Sequence, residues 1–418
     1  FLSIIFGLFV TGIDVKGAFL YPDQKAEVYI SLPSRLTNGS PRYWKLKKTL
    51  YGLSESPRAF YDDCSTLLIK NGYLRTAADP CMFHKHVGAE YILIVVHVDD
   101  FVIASSSKKL TRELLVVMKS RYQITVQTSV EDFIGLNISH LDDGSIVLTQ
   151  PHQIEMIARD YNLLNVDPPK VPMSSLFNDE YQDAAPKIDI ERYMRLLGRL
   201  LFIIKTRPDI AYAINRLATR SHCATERDFK ALLRVASYLY GTRTLGLKIK
   251  KTSPQNRAAA ARLSCYVDAS YATHPDSKSH TGYCFSLGDT MAMFYSRTFK
   301  QSNVTLSSTE AENAAAVEAT KEIMWFRELL GELGFPQLEP TLMFADNASM
   351  ITLANDFSGN HKRVKHYMTR INFMIEQVQL QSIRLEHVSS EDNVADILTK
   401  PLGPTAFLRL RPILMGYA

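Results

Sequence analysis

Two short apolar, β-branched runs joined at adjacent carboxylates, Tyr91-Ile-Leu-Ile-Val-Val-His-Val-Asp99-Asp100-Phe-Val-Ile-Ala104, dominate the hydrophobic pattern of the chain. Branching of this kind suits buried strands, and each run is too short for a helix. The pattern predicts a β-hairpin with Asp99 and Asp100 at its tip. Asp-Asp is a poor two-residue turn, because tight hairpins want positive φ and usually Gly. Two unneutralised carboxylates at one tip are also unfavourable unless a cation or substrate sits there. The other Asp-Asp pairs differ: Asp62-Asp63 lies in a mixed polar segment, and Asp142-Asp143-Gly144 has the Gly of an ordinary hairpin turn. A metal-binding tip is the expectation for Asp99-Asp100, against a merely structural turn.

Upstream, Gly12 to Asp14 reads as a strand ending at a carboxylate, with a turn at Gly17. Glu27 to Ile30 is a strand; Trp44 to Lys48 suits either a phosphate-bearing groove or a solvated strand edge. Arg58 to Lys70 and Leu110 to Met118 have helical spacing, and 133–138 with 145–149 form a hairpin across Asp143-Gly144. Together these predict an α+β domain with Asp14, Asp99 and Asp100 converging at one end of its sheet. The opening Phe1 to Val10 reads as a buried segment leading into the first strand. Residues 151 to about 250 carry helical apolar stripes, with a proline-rich linker or crossing at 165–187; their expected role is packing and support. After a boundary at 252–262 comes an α/β pattern of strands at 263–268, 282–286, 291–296, 341–346 and 383–388. Its helices are expected at 309–333, 348–354 and 364–379, with a short last one from Ala395 to Lys400. The domains predicted are 1–155, 156–255 and 256–405, followed by a tail at 406–418.

In that last domain Asp268 and Asp346 close strands, where open α/β sheets place their sites. Glu312 and Asp396 lie in first turns of helices. Four such carboxylates make a hard oxygen site suited to Mg²⁺ or Mn²⁺, and two such ions can activate a water and stabilise a departing phosphodiester oxygen. Each has a structural alternative. Thr309-x-x-Glu312 is a capping box, Asp346 could cap the next helix, Asp396 could complement a helix dipole, and Asp268 could be a turn residue. The basic run 361–366, including Lys365 and His366, suits a nucleic-acid backbone or a solvated helix start.

Composition alters this little. With 418 residues there is room for two or three domains, and 46% hydrophobic with 22% charged residues is ordinary for a soluble globular protein. A net charge of +5 permits a polyanionic partner. The five cysteines show no CxxC spacing, which argues against a disulfide framework and fits a reducing compartment. No apolar run approaches the ~18 residues of a membrane span. The opening segment lacks a signal peptide's basic flank. It also lacks an initiator Met, so the chain is expected to start inside a longer one.

The sequence resembles the reverse transcriptase–ribonuclease H portion of copia-type retrotransposon polyproteins. The resemblance runs through IDVKGAFL (13–20), KTLYGLSESPRAFY (48–61), VHVDDFVIAS (96–105), FIGLNI (133–138) and TRPDIAYAINRLA (206–218). It continues through YVDASYA (266–272), SSTEAENAAA (307–316), FADNASMITLAND (344–356), KHYMTRINF (365–373) and ADILTKPL (395–402). It implies a reverse-transcriptase palm with a helical thumb or connection, followed by an α/β ribonuclease H-like domain. Asp14 and Asp99 would bind the polymerase metals with Asp100 beside them, and Phe19 would stand where an aromatic excludes a ribose 2′-hydroxyl. Asp268, Glu312, Asp346 and Asp396 match the acidic tetrad, each site taking two Mg²⁺ or Mn²⁺ ions. Glu312 rather than Glu310 fits the family's Glu-Tyr-x-Ala. His387 approximates a loop histidine that assists product release, its spacing off by one. The implied partners are an RNA template, a DNA primer, RNA–DNA hybrid and deoxynucleoside triphosphates, with no membrane, in cytoplasmic virus-like particles. Departures are His97 for Tyr, Ser54-Glu55 for Lys-Gln, and Asn313 and Asn372 for an aromatic and a histidine. The family's preceding finger strands are missing from the sequence, so this N-terminally truncated chain is expected to cut hybrid RNA while extending primers poorly. The competing expectation is a decayed or domesticated fragment that binds nucleic acid without polymerase activity.

Overall fold

A computed structural model of the chain describes residues 1–33, 35, 42–128, 130–178, 188–251, 261–288, 293–355 and 368–418. They form two compact units, one of 7–130 with 332–334, the other of 1–6, 131–331 and 335–418.

The first unit is built on strands β1 (Phe9–Val15), β4 (Leu74–Arg75), β5 (Met82–Val87), β6 (Glu90–His97), β7 (Asp100–Ser105) and β8 (Ile124–Gln127), with β2 (Tyr29–Ser31) and β3 (Tyr43–Lys45) as a separate ribbon. The sheet order is β4-β5-β6-β7-β1-β8 and every pair is antiparallel. Side chains alternate across a strand, so Ile92, Ile94 and Val96 of β6 share a face with Phe101 and Ile103 of β7. That face packs on Phe60, Cys64 and Leu68 of helix Ser56–Lys70 and on Leu110, Leu114 and Met118 of helix Lys108–Lys119. Ser107 starts the second helix by accepting from the Lys109 amide.

The β6–β7 hairpin forms, with one correction to its tip. His97 pairs with Asp100, so Val98 and Asp99 are the turn and Asp100 is the first residue of β7. Val98 takes the positive φ of 57° that a tight turn demands. The shift places Asp100 directly opposite Asp14 of β1.

The second unit begins earlier than expected. Strands β9 (Asp132–Phe133), β10 (Leu136–His140) and β11 (Ile146–Thr149) pair with β12 (Leu247–Ile249) in the order β12-β11-β10-β9. The compact boundary therefore falls at 130 rather than 155, because this hairpin finds its edge partner after the helical segment. Its turn is the ordinary one anticipated: Gly144 has φ 76°, and Asp143 accepts from the Ser145 amide. Helices Pro151–Asp160, Ile190–Ile203, Ala211–Ala218 and Glu226–Gly241 share one apolar core.

The five-stranded sheet comprises β13 (Leu263–Ser270), β14 (His280–Leu287), β15 (Met293–Lys300), β16 (Thr341–Ala345) and β17 (Ile383–His387), ordered β15-β14-β13-β16-β17. The first three are antiparallel, and β13, β16 and β17 run parallel. Helix Ser308–Glu332 lays Ala311, Ala315, Ala319 and Ile323 against one face. Cys284, Met293 and Leu398 join the core of the helical segment on the other. Strand β14 is buried along its whole length as a result.

Two more elements correct the sequence reading. The predicted tail contains helix Pro404–Met415, with Phe407, Leu410 and Leu414 buried. Phe1 to Val10 is not one segment: Leu2–Phe6 is a helix whose Ile5 enters the second unit's core, with Phe1 packed on Phe294 and Phe6 on Phe335. Among the described residues no helix is long and apolar enough to cross a membrane. The organisation is the α+β one that the resemblance implies, a palm-type antiparallel sheet and a mixed sheet of the ribonuclease H kind.

Candidate active sites

Three carboxylates come together at the C-terminal ends of the adjacent parallel strands β13 and β16 of the mixed sheet. Asp268 lies near the end of β13, Asp346 follows β16, and Glu312 projects from the first turns of helix Ser308–Glu332. Their carboxylate oxygens lie within 4.8 Å of one another. Asp268 and Glu312 are buried and Asp346 is half-buried. Asp396 sits in the 3₁₀ turn Val394–Leu398, also buried, and joins the group through Lys400. The Lys400 Nζ lies 2.8 Å from Asp396 and 3.6 Å from Asp268. Thr399 donates its hydroxyl to Asp268 as well.

The structural alternatives for these four are occupied by neighbours. Glu310 and Ser307 carry out the capping: Glu310 accepts from the Leu306 amide, and Ser307 from the Glu310 amide. Glu312 is left facing Asp268 and Asp346. The helix Ala348–Asn355 is capped by Asn347, which accepts from Met350 at 2.9 Å, rather than by Asp346. Asn393 caps the 3₁₀ turn in place of Asp396. Asp268 pairs with Gly282 within the sheet and is no turn residue.

The electrostatics describe a site with surplus negative charge. Burial, then the charges of Asp268 and Asp346, pushes Glu312 up to about 9, with Lys400 opposing. Asp396 rises to about 7 through burial and Asp268, again against Lys400. Burial raises Asp268 too. One lysine does not balance four acids, and the buried Oε2 of Glu312 has no hydrogen-bond partner. Hard oxygen donors, an orphaned acceptor and excess negative charge fit a divalent cation such as Mg²⁺ or Mn²⁺.

In the first unit Asp14 and Asp100 are register partners, and the Val15 amide donates to the carbonyl of Asp99 at 3.0 Å. All three acids are half-buried. Asp100 is raised by burial, then by Asp99 and Asp14, with His97 opposing. The three thus share one electrostatic neighbourhood at the hairpin. Phe19 is half-buried in the turn Ala18–Leu20, its ring centroid 4.7 Å from that of Tyr51.

Of the remaining candidates, His387 is the exposed last residue of β17 and pairs with Ala345, one residue before Asp346. Lys365 and His366, with the basic run 361–366, lie outside the described residues. Three features escaped the sequence reading. Thr399 and Lys400 are two, although spacings of three and four from Asp396 are what a helical turn would bring round. The third is a groove of about 450 Å³ lined by Thr281, Gln301, Thr305, Glu310, Asn313 and Ile371. The buried Gln301 Oε1 and Asn313 Oδ1 have no hydrogen-bond partner.

Residues 2–175 match the protein family described as reverse transcriptase (RNA-dependent DNA polymerase). The chain is 32% identical over 399 residues to the retrovirus-related Pol polyprotein from transposon RE2 of Arabidopsis thaliana, covering 94% of this chain and 27% of that protein. It is 29% identical over 411 residues to the Pol polyprotein from transposon TNT 1-94 of Nicotiana tabacum, covering 96% and 30% respectively. The chain therefore spans about a quarter to a third of those relatives. Among solved structures it is similar to the foamy viral protease-reverse transcriptase in complex with RNA/DNA hybrid. There the TM-score is 0.52 at 13% identity, over 91% of this chain and 44% of that one. That likeness concerns the fold.

Proposed function

The chain belongs to the reverse transcriptase portion of copia-type retrotransposon Pol polyproteins, and on that premise we propose that it carries two metal-dependent phosphoryl-transfer sites. The first would be an RNA-directed DNA polymerase site on Asp14 and Asp99, with Asp100 beside them. The second would be a ribonuclease H site on Asp268, Glu312, Asp346 and Asp396.

The observation that carries the reading is the triad of buried Asp268 and Glu312 with half-buried Asp346, with oxygens within 4.8 Å and an unpartnered Glu312 Oε2. Such an arrangement has little structural use, since buried like charges destabilise a fold unless a cation joins them. Bound Mg²⁺ or Mn²⁺ would lower the pKa of the attacking hydroxyl or water and neutralise charge on the departing oxygen. The residues of the chain do the remaining work. Asp268 is held in place by Thr399, and Lys400 ties Asp396 to Asp268.

In hydrolysis, water adds to phosphorus and the bond to the 3′ oxygen breaks. The polar side chains lining the groove, among them Thr281, Asn303 and Thr305, suit hydroxyl groups of a bound strand. An RNA strand supplies these as 2′-hydroxyls and DNA does not. In synthesis, the primer 3′-hydroxyl adds to a deoxynucleoside triphosphate and pyrophosphate leaves; Phe19 would sit against the sugar and exclude a 2′-hydroxyl. His387, beside Asp346, would assist product release, and Lys365 and His366 would contact the backbone of the hybrid. The setting would be a cytoplasmic virus-like particle, with RNA template and DNA primer as partners.

The direct test is cleavage of labelled RNA in an RNA–DNA hybrid with Mg²⁺. The full chain should cut the hybrid and spare the same RNA alone. Cleavage that survives both Asp346→Asn and chelation of the metal would end the proposal.

A further inference from the structure

The mechanism above leaves unused a buried polar chain that runs from the helical segment to the back of the ribonuclease site. Arg216, on helix Ala211–Ala218, hydrogen-bonds through Nη1 to His274 Nδ1, and its Nη2 donates to the Thr273 carbonyl at 2.9 Å. His274 Nε2 meets His280 Nδ1 at 2.9 Å, and His280 Nε2 meets the Thr298 hydroxyl at 2.7 Å. Thr298 ends the run by donating to the carbonyl of Leu398 at 2.6 Å. Arg216 and both histidines are almost wholly buried.

The direction of every proton in this run is determined. A threonine hydroxyl has a single hydrogen, and here it is spent on Leu398. His280 must therefore donate from Nε2 and accept at Nδ1. His274 must in turn donate from Nε2 and accept from Arg216 at Nδ1. Both rings are uncharged by this count. Burial, then the neighbouring cationic and imidazole groups, independently lowers both histidines, His274 to about 3. One guanidinium thus polarises a file of donors that all point the same way, each bond strengthening the next.

The carbonyl at the end of the file is placed where it matters. The 3₁₀ turn Val394–Leu398 holds Asp396, and the last carbonyls of any helical turn lack partners within it. The amides of Thr399 and Lys400 both return to the Asp396 carbonyl, at 3.2 Å each. The Leu398 carbonyl, at the end of the turn, accepts instead from the Thr298 hydroxyl.

We propose that Arg216, His274, His280 and Thr298 are positioning residues that lock the Asp396–Lys400 turn in the register at which Asp396 serves as a metal ligand. The inference rests on reading the four acids as a metal-binding ribonuclease site. It adds that the helical segment, which reads from sequence as mere support, sets that site's metal affinity.

The test uses the full chain with Mn²⁺ as the probe, titrated by electron paramagnetic resonance, alongside thermal melting and hybrid cleavage. Thr298→Val removes the last link at constant shape, whereas Thr298→Ser keeps it. Thr298→Val should weaken Mn²⁺ binding roughly ten- to a hundredfold, as loss of groups behind metal ligands does. The metal concentration for half-maximal cleavage should rise in step, the KM for hybrid should stay put, and Thr298→Ser should restore both. His280→Phe, which retains a ring against Tyr212, carries the same expectation should Thr298→Val not fold. A folded Thr298→Val or His280→Phe with wild-type Mn²⁺ affinity overturns the inference even if its melting temperature falls. A wild-type chain that binds no Mn²⁺ overturns the underlying site reading instead.

Discussion

Gly282 faces Asp268 across the β13–β14 pair, and the space where its side chain would be is filled by the 398–399 turn. A Cβ at this position would lie 2.6 Å from Thr399 Cγ2, 2.8 Å from Leu398 Cβ and 3.1 Å from the Leu398 carbonyl carbon. Glycine is required here for space, because the turn that presents Thr399 to Asp268 rests on the strand itself. Gly282→Ala should cost about 1–3 kcal/mol from overpacking. By displacing the turn it should also slow hybrid cleavage by up to about a hundredfold, the usual consequence of a 1 Å misplacement. Urea melts and cleavage rates measured together check this. An alanine variant with full rate and unchanged stability would mean that the turn yields freely.

Asp346→Asn should separate stability from function. The Asp346 charge raises both Glu312 and Asp268, so removing it relieves repulsion in the metal-free fold. The variant should melt a few degrees higher than wild type in chelator while losing both the stabilisation by Mg²⁺ and the cleavage of hybrid. Calorimetric scans with and without Mg²⁺ decide it. A variant less stable than wild type in chelator would show that the carboxylate is held for structural reasons.

The same acids fix the sign of a pH effect. Glu312 is raised from 4.5 to about 9 and Asp396 from 3.8 to about 7. Between those limits the folded metal-free chain holds protons that the unfolded chain has released, so its stability falls as pH rises. The acids contribute fully below about pH 4, and their contribution is lost through about pH 9. Metal binding displaces those protons, so Mg²⁺ should stabilise more at pH 8 than at pH 6. Melting temperatures across that range, with Mg²⁺ and with chelator, should diverge as pH increases. Parallel curves would contradict the assignment.

Much of this was legible in the chain itself because several of the acids lie at or beside the ends of short apolar strands. Val96 to Asp100 and Leu263 to Asp268 carry their strand signal and their carboxylate within a few residues, so local periodicity located them. What local pattern could not supply was the allocation of roles between near neighbours. Thr309-x-x-Glu312 and Ser307-x-x-Glu310 are both plausible caps, and only the helix start at Ser308 decides between them. Helix Pro404–Met415 was missed despite a Pro in its first turn and a left-handed Gly416 after its end, a pairing typical of helix boundaries. Pro412 within it weakened the periodicity. The His274–His280 run had no sequence signature at all, since a loop, two strands and a distant helix supply it.

The hairpin of the first unit stores strain that a single substitution should release. Val98 adopts a φ of 57°, a conformation in which a β-branched side chain crowds its own backbone at a cost of roughly 1–2 kcal/mol. Nothing in the core requires valine there, since the residue is 43% exposed. Positive φ at that position is nevertheless what makes the turn two residues long, and so what sets Asp100 opposite Asp14. Val98→Gly keeps the turn geometry and removes the crowding, so it should stabilise the protein by about 1 kcal/mol, net of glycine's greater chain entropy. It also leaves the Asp99 carboxylate on a looser backbone, and primer extension by the chain should fall while hybrid cleavage, which we propose rests on acids of the other unit, stays unchanged. Denaturant titrations give the stability change, and the two assays on one preparation give the contrast. A glycine variant that loses stability would mean that the valine is not strained; one that loses both activities would mean that the hairpin does more than serve the polymerase site.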